Sequence, residues 1–282
     1  MHVPVLLKET LELLDPRPGK VLVDATLGFG GHADALLAAG ARVLGIDQDR
    51  EALDAARERL SGYPGIQVIR DNFANIGKLI KEPVDGILFD LGVSSYQIDE
   101  AKRGFSIRFD GPLDMRMDQS QKLTAAEIVN EWPEEELARI FREYGEERFA
   151  KRVGAKIGVM RSENKIQTTF QLKEIIEKAI PTWRKRESAT RVFQALRITV
   201  NSELENLKQA LSVSPEILKP GGRMIVISYH SLEDRMVKWF FRDQEKSGIL
   251  KILTKRPIVA GTAEMAANPR AGSAKLRGAE KI

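Results

Sequence analysis

The spacing of apolar positions changes twice along the chain, and the changes divide it into three stretches. Up to Asp90, short apolar runs alternate with helix-period segments. Val21-Leu22-Val23 stops at Asp24, Ala33 to Ala39 is a run of helix formers ended by Gly40, and Ala41 to Ile46 is apolar again and stops at Asp47. Asp49 to Leu60 reads as a helix with Ala52, Ala55, Ala56 and Leu60 on one face, ended by Gly62 and Pro64. Ile66 to Ile69 is a third strand, Ile76 to Ile80 a short helix, and Val84 to Asp90 a fourth strand after Pro83. This β-α-β-α-β-α-β order predicts a parallel sheet.

The strand pattern then stops. From about Gly104 to about Val200 no buried strand is legible. Glycine, charge and Pro112 give a mobile-looking loop as far as Asp118. Helices follow: Leu137, Ile140, Phe141 and Tyr144 after Pro133, a stripe of Phe149, Val153, Ile157 and Met160, and a capping box at Thr168-Thr169-Phe170-Gln171 ahead of Leu172, Ile175 and Ile176. Alternation resumes near Ser202. Leu204, Leu207 and Leu211 share a helix face that Ser214-Pro215 should kink or restart. Pro220-Gly221-Gly222 is expected to turn into a fifth strand, Arg223 to Tyr229. Ser231 is expected to cap a helix through Phe241, and two short strands near Leu250–Thr254 and Ala274–Arg277 to close the sheet. The expected organisation is an α/β core of residues 1–104 and 203–282, interrupted by a helical domain, 105–202.

The strand–glycine–helix–strand–acid segment from Val21 to Asp47 carries the first chemical signal. Gly28-x-Gly30-x-x-Ala33 fits both the dinucleotide fingerprint and the looser glycine loop of S-adenosylmethionine enzymes. Asp47, 19 positions after Gly28, is spaced to accept hydrogen bonds from ribose hydroxyls. In open α/β sheets ligands bind beyond the carboxyl ends of the strands. Those ends are Asp24, Asp47, the Asp71–Phe73 loop, Asp90 and His230, and Asp90 runs into the small polar loop Gly92-Val93-Ser94-Ser95.

Composition narrows the setting. With no cysteine there is no disulfide, thiolate-bound zinc or thiol chemistry, and no metal-ligand set is singled out. The first residues lack a signal-peptide pattern and no window approaches a membrane span, so a cytoplasmic protein without membrane contact is expected. Lys+Arg 44 against Asp+Glu 40 gives only +4, so nucleic-acid binding must rest on local patches. Arg184, Lys185, Arg186, Arg191 and Arg197 are opposed only by Glu187; Lys102, Arg103, Arg108 and Arg116 flank the 104–118 loop; Arg270, Lys275 and Arg277 come later. Tyr96, Phe105, Phe109, Trp183 and Phe193 are interleaved, a mixture of cations and stacking rings that suits RNA.

Long motifs carry a resemblance over nearly the whole chain: His2-Val3-Pro4-Val5-Leu6-Leu7, Asp24-Ala25-Thr26-Leu27-Gly28 with Gly30-Gly31-His32, Asp90-Leu91-Gly92-Val93-Ser94-Ser95, Gly111-Pro112-Leu113-Asp114-Met115-Arg116, Phe193-Gln194-Ala195-Leu196-Arg197 and His230-Ser231-Leu232-Glu233-Asp234-Arg235. The sequence resembles the ribosomal RNA small subunit methyltransferase H family, also called MraW. That resemblance implies a class I (Rossmann-like) S-adenosylmethionine methyltransferase with an inserted helical substrate-recognition domain. It implies methyl transfer to the exocyclic N4 of a cytosine in the decoding centre of 16S rRNA, free or within the small ribosomal subunit, with S-adenosylhomocysteine as product. The family's cofactor contacts fall on Gly30, Gly31, His32, Asp47, Phe73, Asp90 and Gln97. Two departures stand out, Glu187-Ser188 where the family has His-Pro and Gly272 where it has Arg; both fall in segments expected to face RNA.

Asp90 is the expected catalytic residue, placed to accept an N4–H as the amine attacks. The chain lacks the prolines and aromatic of the signature that many amino-methyltransferases carry here, so another ring must hold the base: Tyr96, Phe105, Phe109 and Tyr229 are candidates. Two rival readings are a nicotinamide-dependent dehydrogenase, which would need a hydride-transfer domain that no feature demands, and a non-catalytic RNA-binding module with a vestigial cofactor site, against which the intact glycine loop and Asp90 argue.

Overall fold

Neighbouring residues in each apolar run go to opposite faces of one sheet, as the two-residue period of a strand requires. The computed structural model describes residues 4–282; His2 and Val3 of the first motif lie outside the described residues. In chain order the elements are α1 (Leu7–Leu14), β1 (Val21–Asp24), α2 (Gly31–Ala38), β2 (Arg42–Asp47), α3 (Arg50–Leu60), β3 (Ile66–Arg70), α4 (Ile76–Leu79) and β4 (Val84–Asp90). Six helices follow: α5 (Ser95–Asp99), α6 (Ala125–Glu131), α7 (Glu134–Glu143), α8 (Ala150–Glu163), α9 (Thr169–Ala179) and α10 (Lys185–Asn201). The chain then continues through α11 (Glu203–Ile217), β5 (Leu218–Ser228), α12 (Ser231–Lys246), β6 (Leu250–Ile252), α13 (Thr262–Ala267) and β7 (Lys275–Lys281). Two compact units result, one of Met1–Gly92 and Leu204–Ile282, the other of Val93–Glu203. The division falls at 92/93 and 203/204, where the sequence pattern puts it at 104/105 and 202/203.

The first unit holds a seven-stranded sheet, β3-β2-β1-β4-β5-β7-β6. β1 to β5 are mutually parallel, and β7 enters antiparallel between β5 and β6. Leu22, Leu88, Ile225 and Ile227 meet α1, α2 and α3 on one face. Val23, Ile87, Phe89, Met224 and Val226 meet α4, α11 and α12 on the other. Strand β4 is covered on both sides, which explains its continuous apolar run.

Several expectations need correction. Pro215 lies inside α11, which neither stops nor restarts there; Ser214 Oγ donates to the Ala210 carbonyl at 2.7 Å, supplying a local bond in the turn the proline enters. Residues 219–222 belong to an irregular stretch of β5, because the register with β4 jumps between Leu218 and Arg223. The cap of α12 is His230, not Ser231: its Nδ1 accepts the Glu233 N–H, and Glu233 answers with a carboxylate oxygen on the His230 N–H. α1 was not legible, since its entry residue Leu6 is held in a left-handed turn (φ 52°) and its amide by distant Glu264.

The second unit is all helical around its own core, in which Leu137, Phe141, Val153, Leu172 and Leu196 are buried. The capping box at Thr168 forms as expected, and another forms at Thr124. The 104–118 segment is a pinned strap. Leu113 and Met115 are buried, the Met115 amide donates to the Arg103 carbonyl, and the Asn201 side chain bonds both the Met115 carbonyl and the Met117 amide. Arg103, expected to offer charge to a ligand, is buried and donates to the carbonyls of Arg116 and Met117. Arg116 is taken up by Asp114 and by the carbonyls of Gln119 and Gln121.

Candidate active site

Parallel pairing brings the ends of β1, β2 and β4 to one edge of the first unit, and each ends in an aspartate. Asp24 is 1% exposed and accepts the Thr26 amide. Burial, with Asp90 and Asp47 nearby, pushes its pKa up to about 7. Asp47 is gripped by main chain: Gly28 N–H donates to Oδ2 at 2.7 Å and Asp49 N–H to Oδ1 at 2.9 Å. Burial raises its pKa to about 6 against those amides. The Asp71 amide also donates to the Asp47 carbonyl, so the β2 and β3 ends are tied together. Phe73, just beyond, sets its ring edge against Phe89 with centroids 5.8 Å apart.

Asp90 is held differently. Its amide donates to Thr26 Oγ1 at 2.7 Å, the Tyr229 hydroxyl donates to Oδ1 at 2.7 Å, and His32 Nδ1 faces Oδ2 at 3.5 Å. The His32 Nε2 meets the Val5 carbonyl at 3.1 Å. A carbonyl can only accept, so Nε2 carries a hydrogen and Nδ1 is the nitrogen turned toward the carboxylate. Burial pushes the Asp90 pKa up, opposed by His32, Tyr229 and Arg270. Its side chain keeps 24% exposure, enough to receive a reacting group.

The glycines of the loop have different reasons for being glycine. Gly28 and Gly30 sit at positive φ, 50° and 75°. A Cβ on Gly30 would strike the Leu60 side chain, and one on Gly31 would strike Pro4. Close packing against α3 and against Pro4 thus requires glycine at those two positions. Around Gly28 the space is open apart from the Thr26 carbonyl at 3.9 Å.

Of the residues singled out from sequence, Gly30, Gly31, His32, Asp47, Phe73 and Asp90 lie in the sheet unit, the two acids ending neighbouring parts of one edge. Gln97 lies in the helical unit, where it closes a capping box with Ser94 at the start of α5. Thr26 and Tyr229 contact Asp90 without having been read as its partners. Tyr229 was considered only as a ring to hold a base; its place directly after a strand end was the available signal. The basic cluster around residues 184–197 is partly neutralised. Glu187 binds Arg184 at 3.2 Å and Arg191 at 2.6 Å, and Arg197 pairs with Glu203. Trp183 stays 74% exposed with the Arg184 guanidinium 4.6 Å from its ring centroid, beside Lys185 and exposed Arg186. Of the Glu187-Ser188 departure from the family pattern, Ser188 is buried and Glu187 exposed, and Gly272 is exposed too. Arg277 is buried on Asp234. Among the described residues no helix is long and apolar enough to cross a membrane.

The site can accommodate a cationic nucleoside cofactor. Three carboxylates, all pushed toward neutrality by burial and Asp24 also by Asp90 and Asp47, are stabilised as anions by a positive group brought among them. A sequence profile of the MraW methylase family matches residues 1–282. The chain is 48% identical to a ribosomal RNA small subunit methyltransferase H from Heliobacterium modesticaldum, over all of this chain and 98% of that one. It is 50% identical to the protein of that name from Deinococcus deserti, over all of this chain and 94% of that one. Among solved structures it is similar to a candidate rRNA-methylase from Clostridium thermocellum (TM-score 0.50, 16% identity, all of both chains). It is equally similar to a candidate methyltransferase from Streptococcus mutans in complex with SAH (TM-score 0.50, 14% identity, all of both chains). What is shared at those identities is the fold, an α/β class I methyltransferase sheet.

Proposed function

The chain belongs to the MraW methylase family, and from that premise we propose that it transfers a methyl group from S-adenosylmethionine to the N4 amine of a cytosine in 16S rRNA. The observation that carries the reading is Asp90, a partly accessible carboxylate at the end of the central strand with a side chain facing each oxygen. S-adenosylmethionine supplies, when bound, a methyl group on a sulfonium that needs little further activation.

The protein's tasks are alignment and an acceptor for one proton. The cytosine amine is a weak nucleophile because its lone pair is delocalised into the ring. Asp90 accepts a hydrogen bond from N4–H, which localises the lone pair and takes the proton as the N–C bond forms. Asp47 accepts the ribose hydroxyls, using lone pairs left over from the Gly28 and Asp49 amides. The loop Gly30-Gly31-His32, Phe73 and Asp90 itself complete the cofactor contacts assigned within the sheet unit. We assign RNA recognition to the helical unit, on its exposed Trp183 flanked by Arg184, Lys185 and Arg186. The target base leaves its stack to reach Asp90. The substrate is 16S rRNA within the small ribosomal subunit, which sets the reaction in the cytoplasm.

Incubation with labelled S-adenosylmethionine and undermethylated small subunits, followed by mapping of the label, tests this. Label on N4 of one cytosine of the decoding centre is expected; label elsewhere, or none, overturns it.

A further inference from the structure

The two oxygens of Asp90 are not equivalent. Oδ1 receives the Tyr229 hydroxyl at 2.7 Å, and Oδ2 faces His32 Nδ1 at 3.5 Å. Tyr229 is itself fixed. Its ring lies over Gly92, where a Cβ would come within 3.5 Å of it, and the Arg270 guanidinium sits 5.7 Å from its centroid. Its amide is bonded to buried Glu233. The phenol is far more weakly acidic than usual, through burial and the adjacent carboxylate, so it remains a donor.

We propose that Tyr229 is a positioning residue for the methyl transfer: its hydroxyl occupies Oδ1 of Asp90 and so makes Oδ2 the oxygen that takes the N4 proton. The inference rests on the reading of Asp90 given above. In the transfer the N4–C bond forms, the S–C bond breaks with its electron pair going to sulfur, and the N4–H proton goes to Oδ2. The new O–H lies on the side of the carboxylate that faces His32 Nδ1. Without the phenol, either oxygen could take the proton.

The charged and titratable groups around Asp90 are His32 from α2, Asp24 from β1, Glu233 from α12, Arg270 from the turn before β7, and Tyr229 itself. Of these, Tyr229→Phe removes only the phenol oxygen and leaves the ring on Gly92 and Arg270.

The test compares Tyr229→Phe, Asp90→Asn and the wild type on undermethylated small subunits across pH. For Tyr229→Phe we expect kcat to fall roughly 10- to 100-fold with the KM for S-adenosylmethionine within about twofold. The acid limb of kcat should move to higher pH, because a donor favouring the ionised carboxylate is gone. Carboxyl-carbon NMR of the ligand-free protein should report the Asp90 titration moving up by about half a unit or more, a readout independent of turnover. If Asp90→Asn is inactive while Tyr229→Phe keeps the wild-type kcat and acid limb, the Tyr229 role is overturned alone. If Asp90→Asn keeps turnover, the Asp90 reading falls and the Tyr229 role with it. If Tyr229→Phe does not fold well enough for kinetics, the NMR titration in Tyr229→Leu, which also lacks the donor, decides: an unmoved Asp90 overturns the proposal.

Discussion

The ends of β2 and β4 carry the same residue type at the same edge of one sheet, yet they are built from different parts. Asp47 is held by two main-chain amides, from a loop whose path the glycines set. Asp90 is held by side chains from three separate segments: Thr26, His32 and Tyr229. Main-chain donors do not titrate and move only with the loop, which suits a carboxylate whose work is to bind a neutral hydroxyl pair the same way every time. Side-chain partners are placed one by one, and the donor to the Asp90 carboxylate is a phenol that a single substitution can remove. On the proposed reading, the binding acid is the one embedded in backbone and the reacting acid the one met by side chains.

Substitutions sharpen or break that contrast. The largest effect is expected from Asp90→Ala, a fall in kcat of about 10²–10⁴-fold with S-adenosylmethionine affinity lowered less than by Asp47→Ala; single-turnover assays and calorimetry on the same preparation check both halves. Asp47→Ala should do the reverse, weakening the cofactor about 10- to 100-fold by calorimetry while saturated turnover stays within severalfold of wild type. If the two profiles were interchanged, the contrast would be the wrong way round.

A pH effect comes next. Asp24 and Asp47 have folded-state pKa values of about 7 and about 6, above the ordinary carboxylate value. From about pH 4 to 7 the folded protein therefore binds more protons than the unfolded chain, and these two groups cost stability as pH rises through that window. A cationic cofactor relieves this cost only where the acids are ionised. The rise in Tm on adding S-adenosylmethionine should be greater at about pH 8 than at about pH 5.5, by scanning fluorimetry at saturating cofactor. The smallest effect belongs to the helical unit: Thr168→Ala removes an N-cap, should cost about 1 kcal/mol by thermal unfolding, and should leave turnover at low temperature alone.

What could be read from sequence follows the range of the interactions. Strands β1 to β4, the aspartates ending three of them and the helical character of the middle stretch are written in local periodicity and turn residues. So is the Thr168 cap, where donor and acceptor are three residues apart. Contacts between distant segments were not legible. Arg103 reads as a surface cation and is buried on the Arg116 and Met117 carbonyls. Residues 104–118 read as mobile because they lack a period, yet Asn201, far along the chain, fixes them at Met115 and Met117. The antiparallel β7 reads as a closing strand with no direction; only pairing with β5 gives it one. At the site, Asp90 was found because a strand ends there, and its phenol partner lies 139 positions away.

The strand order has a kinetic consequence. β4 pairs with β5, so the central hydrogen-bond ladder joins segments separated by the whole of the helical unit. Closing so long a loop carries an entropic penalty before any bond is gained, and such non-local pairings are slow. The intervening helices rely on near-neighbour contacts and caps and can collapse first. A preformed insertion shortens the floppy tether between the two ladder strands, so this excursion in the chain can act as a folding aid for the very sheet it interrupts.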